Sequence, residues 1–224
     1  MIVKKIRYLS VPAAALALAL LPRGSEAQIF GSDPESLKRT DKLIETAENT
    51  VKQATGVREE IQKTMDSYNA MFKSSDTEVR DAYKNVEKGI ERTEKKREEA
   101  KKNVDLMKAE GDAYFASWKQ SLQQIQDPDL RKKSEDRMGE TRKHFDGVLS
   151  SVTDARAAYD PFLKSLRDQW TYLGHDLNAS GLASLKPDAE KLRGQSTEVL
   201  KKIDDGMKKA NDYVASLKSS RPRT

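Results

Sequence analysis

Between Val79 and Ile125 the apolar and small residues recur at alternating steps of three and four, through Val86, Ile90, Thr93, Arg97, Ala100, Val104, Met107, Gly111, Tyr114, Trp118, Ser121 and Ile125. An α-helix turns every ~3.6 residues, so a stripe repeating every seven drifts around a straight helix. Only supercoiling about a partner keeps such a stripe buried. The repeat therefore predicts an all-α chain, built as an elongated antiparallel helical bundle or coiled coil. No strand-like alternation competes with it.

Three further seams of the same kind complete the bundle. The first runs from Leu37 through Ile44, Ala47, Val51, Ile61 and Met65 to Phe72. Another runs from Leu130 through Met138, Phe145, Val148, Val152, Tyr159 and Phe162 to Leu173, and the last from Leu192 through Val199, Ile203 and Met207 to Leu217. Punctuation between them sets the boundaries. Ser32-Asp33-Pro34 and Asp127-Pro128 each pair a capping residue with a proline at the first helical position. Ser75 with Glu78 makes a capping box, and Lys186-Pro187 opens the last helix. Four long helices are expected, at about 34–72, 76–126, 128–173 and 187–217. Pro161 lies inside the third, where a kink is expected, or a break with Asp160 as a new cap. Gly174, Asn178 and Gly181 predict a loop before the fourth helix, with one helical turn at Leu182 to Leu185.

Short connections force neighbouring helices antiparallel. Counting outward from the turns sets Leu37 level with Gly111, and the end of the last helix at the same height. Beyond that height the second and third helices continue alone as a hairpin over residues 112–143, a projection of roughly 20–25 Å at ~1.5 Å per residue.

The first 27 residues stand outside this pattern. Lys4, Lys5 and Arg7 precede an apolar run from Leu9 to Leu21, then the helix breakers Pro22 and Gly24, then Ser25-Glu26-Ala27. That order of basic, apolar and small-residue regions is a secretory signal with cleavage before Gln28. The rival reading, an uncleaved membrane anchor, is disfavoured because the apolar core is shorter than the ~20 residues needed to span a bilayer. Residues 28–224 are then a single mature domain, periplasmic or secreted, as expected of a Gram-negative cell envelope. The chain has no cysteine, so it forms no disulfide and carries no lipoprotein anchor, and burial alone must stabilise it.

The net charge of +5 falls to +2 once Lys4, Lys5, Arg7 and Arg23, offset by Glu26, leave with the signal. A nucleic-acid partner is not expected of an exported chain so nearly balanced. Charges of both signs interleave at helical spacing, as in Glu48 with Lys52, Glu91 with Lys95 and Glu198 with Lys202. Such pairs support an exposed helix by about 0.2–0.5 kcal/mol each.

Residues that could carry chemistry are sparse. His144 sits beside Phe145 near a seam, as a partly buried structural imidazole would. His175 with Asp176 in the loop makes a poor metal site without further ligands. No glycine-rich phosphate loop or nucleophile motif occurs, so no catalytic residue, metal or cofactor is assigned, and no small-molecule substrate is evident. Several glycines fall inside helices, where each costs about 1 kcal/mol against alanine. Close helix approach is expected at Gly111, and flexing of the hairpin at Gly139 and Gly147.

The aromatics form two groups. Tyr68, Phe72, Tyr83, Trp170 and Tyr172 are expected to plug the end where the first two helices turn. Tyr114, Phe115 and Trp118 lie on the projecting hairpin with Leu122, Ile125 and Leu130. Two helices cannot cover a tryptophan fully, so either a partner covers this group or Trp118 packs across the hairpin against Arg137 and Met138. The candidate partner-binding residues are Trp118, Leu122, Ile125 and Leu130.

The stretches Ala113-Tyr114-Phe115-Ala116-Ser117-Trp118, Asp129-Leu130-Arg131-Lys132-Lys133 and, above all, Tyr159 to Asn178, which reads YDPFLKSLRDQWTYLGHDLN, resemble the bacterial domain-of-unknown-function family 2959. The resemblance implies an exported helical protein without an assigned activity. Some members resemble lipoproteins, from which this chain departs by lacking the cysteine.

The expectation that follows is a non-enzymatic cell-envelope coiled-coil protein, a structural or protein-binding module. Its contact surface is the hairpin 112–143, toward an envelope protein or a second copy. The alternative is a peripheral protein on anionic lipid, bound through Lys95, Lys96, Arg97, Lys101 and Lys102 together with Lys201, Lys202, Lys208 and Lys209.

Overall fold

The computed structural model describes residues 34–73 and 76–220. The signal segment 1–27, the cap at Ser32-Asp33 and the capping residue Ser75 lie outside the described residues. The chain forms α1 (Pro34–Ala70), α2 (Asp76–Leu122), α3 (Pro128–His175), the short α4 (Ala179–Ser184) and α5 (Lys186–Ser219), with no strand among the described residues. The all-α bundle expected from the seams is the fold.

The four long helices pack as a ring in which α1 touches α2 and α5, and α3 touches α2 and α5. That leaves α1 opposite α3 and α2 opposite α5. At 47 residues α2 runs about 70 Å, so the molecule is a rod.

Its interior is divided in two. One cluster joins Ile61, Met65, Tyr68, Val86, Ile90, Phe162, Leu166, Leu173, Leu192 and Val199 near the α1–α2 turn. The other joins Leu43, Ile44, Ala47, Met107, Phe115, Trp118, Phe145, Val148, Tyr213 and Leu217 toward the α2–α3 turn. Between them every helix passes through a stretch without a buried residue, at 51–56, 94–106, 152–158 and 204–209. This is where the repeat in α2 weakens at Arg97. Small residues and cross-helix ion pairs replace large apolar ones, with Arg58 Nε 2.7 Å from Asp204 and Arg97 Nη1 2.9 Å from Asp160.

Several boundaries shift from the sequence expectation. α2 ends at Leu122 rather than near 126. Gln123, Gln124 and Ile125 close the helix with three-residue hydrogen bonds to Gln120, Ser121 and Leu122, the tighter turn typical of a helix C-terminus. α3 begins as expected, with the Asp127 carboxylate accepting from the amides of Asp129 and Leu130, both at 2.9 Å. It then runs unbroken through Pro161 to His175. Pro161 is exposed, so the carbonyl that its missing N–H leaves free faces water rather than the core. Asp160 does not cap a new helix, since its carboxylate reaches across to Arg97. The single turn expected at Leu182 to Leu185 is α4, which starts three residues earlier and takes in Gly181, because the Asn178 side chain caps it on the amides of Ser180 and Gly181. A Cβ at Gly181 would stand 2.1 Å from the Asp176 carbonyl oxygen, so only glycine lets this loop fold back.

The expected aromatic plug forms, with one exception. Tyr83 stacks on Trp170 at 5.2 Å, Phe72 tilts against Tyr68 at 5.3 Å, and the Tyr68 hydroxyl donates to the Gln169 side-chain oxygen. Tyr172 instead points outward, 43 % exposed, with its hydroxyl 2.9 Å from that of Ser184. It follows a phase one position away from the buried Leu173.

Candidate functional site

The register between α1 and α2 decides what stands at the hairpin end. Lys42 pairs with Glu110 at 2.7 Å and Glu60 with Arg92 at 2.8 Å, while Thr64 packs on Gly89. These partners lie more than a turn beyond the positions that counting from the turn gives. Leu37 therefore reaches Tyr114 and Trp118, not Gly111. Part of the offset has a simple cause: side chains lean toward the N-terminus of their own helix, so in an antiparallel pair each contact falls further along both chains than the Cα levels suggest.

The projection shortens accordingly. The first turn of α1 and the last turn of α5 lie beside Trp118 and Ser121. Beyond the described parts of those helices, the hairpin continues alone for roughly 12–14 Å rather than the full span of 112–143.

Trp118 is thus covered, at 7 % exposure, and its indole N–H donates 3.0 Å to the hydroxyl of the equally buried Ser134. Leu122 is buried beside it, with 5 % exposed. Of the four candidate contact residues only Ile125 and Leu130 are half-buried, at the tip itself. The tip is held rigidly. The Arg131 guanidinium donates to the Ile125 carbonyl through Nε at 3.0 Å and Nη2 at 2.6 Å, which satisfies one of the orphan carbonyls past the end of α2.

Below the tip the aromatic residues make a continuous ladder. Tyr114 meets Phe115 and Trp118 edge to face, Phe115 tilts on Phe145 at 5.7 Å, and Phe145 on Tyr213 at 5.8 Å. Gly111 makes this possible, because the Phe145 ring occupies the space where a Cβ would stand. Close approach is therefore the role of Gly111, as expected, whereas Gly139 and Gly147 face open space. Arg142 lies 5.0 Å over the Phe115 ring and bridges Asp146 at 3.0 Å and Asp112 at 3.4 Å. The Lys108 ammonium, bonded to Asp112, holds that carboxyl below its usual range, and Arg142 adds to the effect. Burial raises the phenols of Tyr114 and Tyr213, and a hydrogen bond with Thr40 partly offsets this for Tyr114.

A cleft of about 190 Å³ opens where α1, α5 and the hairpin meet, with Arg39, Thr40, Tyr114, Trp118, Arg137 and Ser216 among its walls. The Arg39 Nε is shielded from solvent and has no hydrogen-bond partner, a state that costs about 1–3 kcal/mol. Sequence reasoning missed this cleft. Its walls combine seam residues, such as Tyr114 and Trp118, with off-seam polar residues of four helices, such as Arg39, Arg137 and Ser216, and no spacing within one helix links the polar ones.

His144 is exposed at the rim of this cleft rather than partly buried. His175 is exposed as the last residue of α3. Asp176 turns to Asn178. Among the described residues no three histidine, aspartate or glutamate side chains gather to hold a metal ion, and no helix is long and apolar enough to cross a membrane.

The family described as protein of unknown function DUF2959 matches residues 35–217, from the first turn of α1 to the last turn of α5. The chain is a member of the DUF2959 family. The match spans the whole described bundle, so the two-core rod and its short hairpin are a structure for DUF2959. No curated protein and no solved structure matches the chain.

Proposed function

We propose that this DUF2959 protein is a non-enzymatic, exported coiled-coil rod of the cell envelope that contacts another protein, or a second copy of itself, through its hairpin end. The observation that supports this most is the tip. Ile125 and Leu130 stay half-buried on a segment that Asp127 and Arg131 hold rigid. A preorganised tip costs little ordering entropy on binding. Elsewhere part of the charged surface is engaged with itself, through α1–α2, α1–α5 and α2–α3 ion pairs.

The anionic-lipid alternative has less support. Its two basic stretches belong to α2 and α5, which stand diagonally across the bundle, so one flat membrane cannot meet both. Several members are already paired, Lys96 with Glu99, Arg97 with Asp160 and Lys202 with Glu198.

A photocrosslinking residue placed at Ile125 or Leu130 in the intact envelope tests the reading. A discrete crosslinked species from these sites, absent from a control site at Lys201, is the expected result. Equal labelling at all three sites, or none at the tip, refutes it. Vesicle flotation at low and moderate salt tests the lipid alternative, which salt-sensitive flotation would revive.

A further inference from the structure

The cleft beneath the hairpin carries chemistry that the protein contact does not use. Its walls combine two kinds of group. Arg39 from α1 and Arg137 from α3 are among the residues that line it. Guanidinium offers five donors in a fixed fork and no acceptor. The only described partner of Arg39 is Glu35, 3.0 Å away, on the exposed first turn of α1, and an exposed pair of this kind exchanges readily with an incoming anion.

The hydroxyl groups supply the opposite polarity. Thr40 donates to the Ser36 carbonyl at 2.9 Å, Thr141 to that of Arg137 at 2.9 Å, and Ser216 to that of Tyr213 at 2.7 Å. With their protons committed to their own helices, the Thr141 and Ser216 oxygens at the cleft can act only as acceptors, while Thr40 is already shared with the Tyr114 hydroxyl. Glu140 at the rim adds a further acceptor. The cleft therefore asks for an anion and for hydrogen-bond donors in one ligand. At about 190 Å³ it has room for roughly a dozen waters at ~10–15 Å³ each, or about ten heavy atoms in their place.

We infer that this cleft binds a small carboxylic acid that carries its own donors, a hydroxy acid or an amino acid, with the carboxylate on Arg39 and Arg137 and the donor groups on the Thr141 and Ser216 oxygens and Glu140. The inference does not rest on the protein contact proposed for Ile125 and Leu130, and its test leaves those residues untouched.

Trp118 borders the cleft while Trp170, the other tryptophan, belongs to the distant core. In the mature chain carrying Trp170→Phe, emission therefore reports on the cleft. Titration with tartrate, serine and succinate at constant ionic strength should give a saturable change for tartrate or serine, with a dissociation constant at or below about 1 mM. Succinate, which has carboxylates and no donor, should bind at least about tenfold more weakly. Arg39→Gln with Arg137→Gln should abolish saturation while far-UV circular dichroism stays unchanged. Arg39→Lys with Arg137→Lys, which keeps charge and loses the fork, should fall between the two. Should the double glutamine variant unfold, the lysine variant and calorimetric titration of the unaltered chain carry the test. The inference is overturned if neither tartrate nor serine saturates, if succinate binds as tightly as both, or if the arginine variants bind unchanged.

Discussion

Replacing Gly111 with alanine sets two effects of opposite sign against each other. Alanine gains about 0.8–1 kcal/mol over glycine in a helix interior. Against this, the new Cβ would lie 2.2 Å from Phe145 Cζ, 2.6 Å from Cε2 and 2.8 Å from Cε1. Ordinary contact begins near 3.4 Å, so ring and helix must separate by about 1.2 Å. The ring has nowhere to go. Phe145 is fully buried, with Phe115 on one side, Tyr213 on the other and Arg142 above. Overpacking of this kind costs about 1–3 kcal/mol and more against a rigid group, so Gly111→Ala should destabilise by about 2 kcal/mol net of propensity. Gly139→Ala provides the comparison, since nothing lies within 4 Å of its Cβ position. There only the propensity gain remains, about 0.5–1 kcal/mol. Urea unfolding followed by far-UV circular dichroism should move the two midpoints in opposite directions. Phe145→Leu in the Gly111→Ala background should recover part of the loss, as a coupling between touching residues. A Gly111→Ala chain as stable as the parent would refute the argument that close approach selected the glycine.

Asp127→Ala should cost about 0.5–2 kcal/mol, because two amide hydrogen bonds at the start of α3 are lost; hydrogen exchange at Asp129 and Leu130 should rise with it. Trp118→Phe should cost about 1–2 kcal/mol, since the buried Ser134 hydroxyl loses its indole donor, and Ser134→Ala in the same background should recover part of it. Tyr159→Phe should be neutral or stabilising near neutral pH, since the Tyr159 hydroxyl is buried without a partner; destabilisation above about 1 kcal/mol would show a missed partner. The same residue gives an alkaline signature. Burial pushes the Tyr159 phenol up from 10.0 to about 12, so the folded state holds this proton more tightly than the unfolded chain. Its contribution is fully present below about 10 and is lost as pH rises toward 12. Urea midpoints should fall over that window, and less steeply in Tyr159→Phe.

The seams of Ile44 and Ala47, and of Val86, Ile90 and Thr93, mark the buried faces because helical periodicity is local and each residue's phase depends only on its neighbours. Asp127-Pro128 is legible for the same reason, since a cap needs only the amides two and three residues onward. Distance along the chain erodes this. Past Gly111 the expected stripe through Tyr114, Trp118, Ser121 and Ile125 keeps only Trp118 buried, and Phe115 and Leu122 join it in place of the others. A four-residue step there brings Phe115 onto Phe145. That choice depends on a ring from another helix, which α2's own pattern does not contain. Pro161 shows the converse error. A local rule asks for a kink or a break, but the exposed position lets water take the carbonyl the proline leaves unpaired.

The candidate site divides along the same line. Its aromatic and aliphatic residues were visible as an unusual concentration on α2 and at the start of α3. Whether they face a partner or the interior was not, because burial depends on how far α1 and α5 extend beside them. An offset of little more than a turn moved Trp118 and Leu122 inside and left Ile125 and Leu130 at the tip. Arg39, Arg137 and Ser216 show no pattern in sequence at all, because no periodicity links residues that meet only when separate helices converge.

By itself, then, the sequence determined an all-α rod, the number of its long helices, their antiparallel order and most of the faces they bury, since each follows from spacing within one helix and the shortness of the links. Only the tertiary structure decided the relative heights of the helices, the division of the core at a polar waist and the cleft beneath the hairpin. Those depend on side-chain shapes meeting across helices, above all the ring of Phe145 against the bare backbone of Gly111.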